Sequence, residues 1–98
     1  MSIQMVIELQ DEAGARAVIH AVDAYKKRLQ NSIGRTKRKL TEYEKRYRVD
    51  TTQFFEQMTA EDLDGGDQDY VRWAGEAEIL EGLESELKEL ENASYQLP

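Results

Sequence analysis

The segment E-A-G-A-R-A-V-I-H-A-V-D-A-Y-K-K-R-L-Q-N-S-I-G-R-T-K-R-K-L-T-E-Y-E-K-R-Y-R, residues 12–48, decides the fold. Its apolar stripe runs Val18, Val22, Tyr25, Leu29, Ile33, Thr36, Leu40, Tyr43 and Tyr47, in unbroken steps of three and four. That spacing places one side chain on the same helix face at every turn. The single Pro is Pro98, so none interrupts the run. Asp11 offers an N-cap oxygen just before it. The reading is one long helix from Glu12 to Arg48. A bend near Asn31–Gly34 is left open, because Gly34 costs roughly 1 kcal/mol relative to Ala. At 1.5 Å per residue the helix spans about 55 Å, roughly twice the width of a compact domain of this size. It therefore protrudes, or a second chain covers it.

Upstream, Ile3, Met5, Ile7 and Leu9 alternate with Gln4, Glu8 and Gln10, while Val6 falls on the other face. Period two reads as a short β-strand. Such a strand has no partner within the chain, which points to dimerisation or to pairing with another protein's strand. Downstream, Asp50 and Gln53 resemble a capping box. They open a short helix carrying Phe54, Phe55 and Met58. Thr59 caps a further turn with Asp62 at its third position. Asp64-Gly65-Gly66 makes a tight reversal, since glycine tolerates positive φ. Asp67 then caps a closing helix from Gln68 to about Asn92. Its apolar face is Tyr70, Trp73, Ala77, Leu80, Leu83, Leu87 and Leu90. Glu76, Glu78, Glu81, Glu84, Glu86, Glu89 and Glu91 form the opposite face, and an extended tail ends the chain.

The fold class that follows is mainly α: a short N-terminal β-strand, one long helix, a short helix and an antiparallel returning helix. This is an elongated helical hairpin, dimeric through its arm. It forms one domain of strand arm (1–10), hairpin (11–93) and tail (94–98). A chain of 98 residues buries a modest core and gains from a partner or a second copy.

Charge supports the hairpin. The net charge of −7 is strongly segregated, because ten of the thirteen basic residues lie within residues 26–49. The closing helix is acidic, so its antiparallel return along the basic half of the long helix sets opposite charges along the seam. Exposed ion pairs add little, and the apolar seam supplies the stability. No apolar run approaches the ~20 residues of a membrane span, and no basic leader precedes the first apolar residues. The absence of Cys excludes disulfides and thiol nucleophiles and fits a reducing, cytoplasmic setting.

Little here carries chemistry. The acidic stretch T-A-E-D-L-D-G-G-D-Q-D-Y, residues 59–70, lacks the spacing of a calcium loop. Its aspartates read as helix-start residues, where negative charge is favoured. His20 is the only histidine, with Asp23 one turn away, and reads as a surface residue. The Glu run lies on a solvated face and does not read as a pair of catalytic carboxylates. The expectation is no catalytic residue, no metal site and no cofactor. The basic run with interleaved tyrosines admits nucleic-acid contact through Arg35, Lys37, Arg38 and Lys39, but the acidic closing helix or an acidic partner answers the same charge.

Three stretches carry a resemblance: R-T-K-R-K-L-T-E-Y-E-K-R-Y, D-T-T-Q-F-F-E-Q-M and A-E-D-L-D-G-G-D-Q-D-Y-V-R-W-A-G-E-A-E-I-L. The pattern is Tyr43, Glu44, Tyr47, Thr52, Phe54 or Phe55, Asp69, Trp73, Ala74 and Glu76. It resembles small prokaryotic antitoxin components of type II toxin–antitoxin modules, over roughly Tyr25 to Pro98. The resemblance implies a non-catalytic protein that binds and neutralises a cognate toxin by protein–protein contact. Phe54, Phe55, Tyr70 and Trp73 are the expected partner anchors, since aromatic residues dominate such interfaces. Ile3, Met5, Ile7 and Leu9 are the expected dimerisation residues. One departure stands out: the pattern carries Tyr-Gly where this chain has Tyr47-Arg48, so the long helix is expected to end differently. The alternatives are a homodimeric coiled-coil scaffold or adaptor and, third, a nucleic-acid binder using residues 26–48.

Overall fold

The computed structural model describes residues 1–57 and 67–95. Three helices follow in order: α1 (Glu12–Tyr47), α2 (Thr51–Gln57) and α3 (Asp67–Glu91). The expected roles of Met58, Thr59, Asp62, Asp64, Gly65 and Gly66, and of the Asp67 side chain, lie outside the described residues.

α1 starts where its cap dictates. Asp11 has extended backbone, and its Oδ1 accepts from the Gly14 amide at 3.0 Å. The helix then runs through Gly34 without interruption for 36 residues. All nine residues of the seam stripe are buried or half-buried, with Leu29, Thr36 and Leu40 buried. Its end is instructive. Arg48 caps it at φ 57° and ψ 37°, in the left-handed conformation that glycine adopts most readily. The helix thus stops one residue before the expected Arg48, and it stops as a glycine would stop it.

α2 opens on half of the expected capping box. Asp50 Oδ1 accepts from the Gln53 amide at 2.7 Å, while the Gln53 side chain donates to Gln57 instead of reaching back. α3 begins at Asp67, one residue before the expected Gln68. It packs antiparallel on α1. Three contacts give the register: Arg46 with Asp69, Lys39 with Glu76, and Tyr25 with Glu86. Positions climb on one helix as they fall on the other. Glu76, placed by spacing on the outer face, is half-buried and faces α1 through Lys39.

The molecule measures 60 × 27 × 17 Å with a radius of gyration of 19.3 Å. A compact chain of this length has a radius near 13 Å, so the helical hairpin is elongated. Beyond Glu86 only about one and a half turns of α3 remain, against nearly four turns of α1 before Tyr25. The first turns of α1 therefore overhang their partner.

The expected N-terminal strand is not formed. Residues 1–9 have no regular structure, and every helix forms without them. A strand is defined by pairing, and no other segment among the described residues is extended alongside it.

Candidate functional site

Two regions answer to the sequence expectations: an aromatic cluster that joins the three helices, and the arm of residues 1–10.

The cluster is built on Trp73, which is fully buried. Phe54 of α2, also fully buried, stacks on it at 4.0 Å between ring centroids and 5° between planes. Tyr43 and Tyr47 of α1 stack on it at 5.6 and 5.9 Å. Tyr70 leans on Phe54 at 5.0 Å. Aromatic pairs of this kind each contribute about 0.5–1.5 kcal/mol beyond area burial. Leu40, Val49, Ala74, Ala77 and Leu80 complete the core.

A buried indole needs an acceptor for its N–H. Trp73 Nε1 donates to Thr51 Oγ1 at 3.0 Å, and that hydroxyl donates onward to Glu44 Oε2 at 3.0 Å. The same carboxylate oxygen accepts from the Thr51 amide at 2.9 Å, so Glu44 satisfies the start of α2. Below it, Asp69 Oδ2 accepts from Tyr47 at 2.5 Å and from Arg46 at 2.7 Å. The hydrogen bond from Tyr47, then that from Arg46, lowers the Asp69 pKa below the usual carboxylate value. The same bond to Asp69 raises the Tyr47 pKa.

Seven of the nine motif positions thus meet in one place, and an eighth, Glu76, ties α3 to α1 through Lys39. Tyr43, Tyr47, Phe54 and Trp73 stack; Ala74 packs beside them; Glu44, Asp69 and Glu76 form the polar links. Thr52 is the exception. It is exposed, and its neighbour Thr51 makes the bonds. The residue that binds the indole was missed because Thr51 and Thr52 are adjacent and equivalent in sequence. Only the Trp73 ring position selects between them.

This corrects the expected partner anchors. Phe54 and Trp73 are core residues with no surface to offer, and Tyr70 is half-buried against Phe54. Phe55 is the anchor that remains, 54% exposed.

The basic residues expected at a nucleic-acid contact do not act as a unit. Lys39 pairs with Glu76 at 3.3 Å, and Arg35 donates to Ser32 Oγ at 3.0 Å. Lys37 lies on the rim of the α1–α3 groove. Arg38 stands on the outer face. Spacing distributes these four around α1 instead of along one edge.

The arm is the opposite of the cluster. Ile3 and Met5 are 92% and 85% exposed, and Val6, Ile7 and Leu9 are exposed with them. Leu9, the least exposed of them, lies against the start of the helix, where a Cβ added at Gly14 would meet its Cβ at 3.3 Å. Among the described residues no group of three His, Cys, Asp or Glu side chains is arranged to hold a metal ion. No described helix is long and apolar enough to cross a membrane. Comparison with protein-family models, with curated proteins and with solved structures finds no match for this chain.

Proposed function

We propose that this chain is a non-catalytic, antitoxin-like binding protein that neutralises a cognate toxin in the cytoplasm by protein–protein contact. The exposed arm carries the reading. Five large apolar side chains, Ile3, Met5, Val6, Ile7 and Leu9, stand in water beside a hairpin that is complete without them. Contiguous exposed apolar surface of this kind marks an interaction site. A segment with alternating side chains and free backbone groups is suited to strand addition, with the backbone supplying affinity and the alternate side chains specificity. The hairpin is then the stem that presents the arm. The sequence resemblance names the partner class.

The arm also fits pairing with a second copy, which is the homodimeric alternative. Co-expression with the product of the neighbouring gene separates the two. The toxin reading expects co-purification of both products and loss of toxin neutralisation when residues 1–10 are deleted. A chain that purifies as a homodimer, leaves the neighbouring product behind and gives no growth protection would establish the scaffold instead.

A further inference from the structure

We propose that the open groove between α1 and α3, floored by Leu40, Ala77 and Leu80, receives a basic amphipathic helix from a partner protein. The proposal rests on the binding role above and adds a second contact surface to it.

The chain itself shows how this side of the hairpin is filled. α2 lies across one end of the seam and inserts Phe54 onto Trp73. It has only seven residues, about 10 Å of helix, against 25 residues and about 37 Å for α3. Past Thr51 the seam is left open by the described residues. The groove there holds about 490 Å³. A second depression of about 340 Å³, against Phe55 and Ala74, shares Ala77 and Glu81 with it. The two form one continuous surface with an apolar floor and an exposed aromatic at one end. Two antiparallel helices whose groove the described residues leave open can be completed by a third helix laying its apolar stripe into it.

Charge decides which helix. The α3 wall of this surface carries Glu78, Glu81 and Glu84, all exposed, and the α1 wall offers Lys37. Glu44, also on the rim, is already engaged by Thr51. The rim is acidic, so the complementary ligand is basic. A second copy does not meet both requirements. Its α1 is basic between residues 26 and 46, but there the apolar residues all belong to the stripe already packed on its own α3. Its arm is apolar but carries Glu8 and no basic side chain.

Two synthetic helical peptides test this on the full ¹⁵N-labelled chain. One carries a Leu stripe with Lys elsewhere, the other the same stripe with Glu. The expected result is saturable amide shifts at Leu40, Ala77, Leu80 and Glu81 with the Lys peptide only. The charge reversal E81K/E84K alters two exposed residues and is expected to keep the helical circular dichroism. It should weaken the Lys peptide at least tenfold. The proposal is overturned if shifts scatter along α3 without reaching Leu40 and Ala77, or if the Glu peptide binds as well. Unchanged affinity in E81K/E84K also overturns it. So does sedimentation showing that the chain alone dimerises and that E81K/E84K abolishes the dimer, which would make a second copy the occupant. Deleting residues 1–10 tests the binding role separately, so a silent groove with an arm-dependent partner rejects this inference alone.

Discussion

Trp73 shows what a single residue does here. It touches both other helices, through Tyr43 and Tyr47 on one side and Phe54 on another, and its N–H engages Thr51. Trp73→Ala or Phe54→Ala is expected to cost about 3–5 kcal/mol, a large share of a small domain's stability. Phe55→Ala is expected to cost only about 1 kcal/mol, because that ring is 54% exposed and meets Phe54 edge-on. Thermal melts of the three variants check this, and equal losses would refute the division of Phe54 from Phe55. Arg48 carries a strain that the sequence registers only as a departure from Tyr-Gly. Its left-handed backbone costs a non-glycine residue roughly 1–2 kcal/mol. Glycine relieves that but has roughly 0.4–1 kcal/mol more unfolded-chain freedom to lose. Arg48→Gly should therefore stabilise the protein by about 0.5–1 kcal/mol, read as a higher midpoint in urea. Asp69 and Tyr47 set a pH window. The Asp69 pKa is lowered in the fold, so its contribution is present above the unfolded carboxylate value. It is lost as pH falls through the folded one. The Tyr47 pKa is raised, so its contribution is present below the unfolded phenol value and lost as pH rises through the folded one. The link is complete between roughly pH 4 and pH 10. Tyr47→Phe should lower stability inside that window and flatten its loss at both edges, as measured by melting temperature against pH.

At the scale of the element, the long helix was the most legible part of the chain. Nine residues in steps of three and four, with an Asp before them, fixed its start, face and length to within a residue. Gly34 marks a place where the helix can bend, and the helical turns continue through it without a break. A Cβ at Gly34 would meet only the Arg38 guanidinium, at an ordinary 3.5 Å. Gly34→Ala is thus expected to gain about 1 kcal/mol, or about 4–8 °C in Tm for a domain of this size. A loss instead would mean that the seam needs glycine there. The strand was the least legible element. Alternation shows which face of a strand would be apolar, but a strand exists only where a neighbour supplies the ladder, and the chain holds no such neighbour among the described residues. Helices close their hydrogen bonds within one segment, which is why the spacing that predicts them suffices.

The whole molecule is a rod, basic along the latter half of α1, acidic along α3 and tipped by an apolar arm. Its stability resides in the hairpin, and the binding role proposed for it resides in surfaces that the hairpin leaves open. Ile7→Lys should therefore leave the melting temperature unchanged, because Ile7 makes no core contact, while abolishing association through the arm. Differential scanning calorimetry and sedimentation read the two effects independently, and a coupled loss would place the arm in the fold. The sequence by itself determined that α1 and α3 are helices, which faces they bury, and that opposite charges run antiparallel along the seam. All three follow from periodicity and charge order within a segment. Only the tertiary structure decided which residues of the motif are core. Tyr43 and Tyr47 of α1, Phe54 of α2 and Trp73 of α3 become one stack only when the three helices pack together, with α2 crossing the hairpin. That crossing assigned Phe54 to the interior and Phe55 to the surface, and Thr51 to the indole in place of Thr52. Local spacing cannot make those choices, because adjacent residues of one type differ only in what the rest of the fold brings against them.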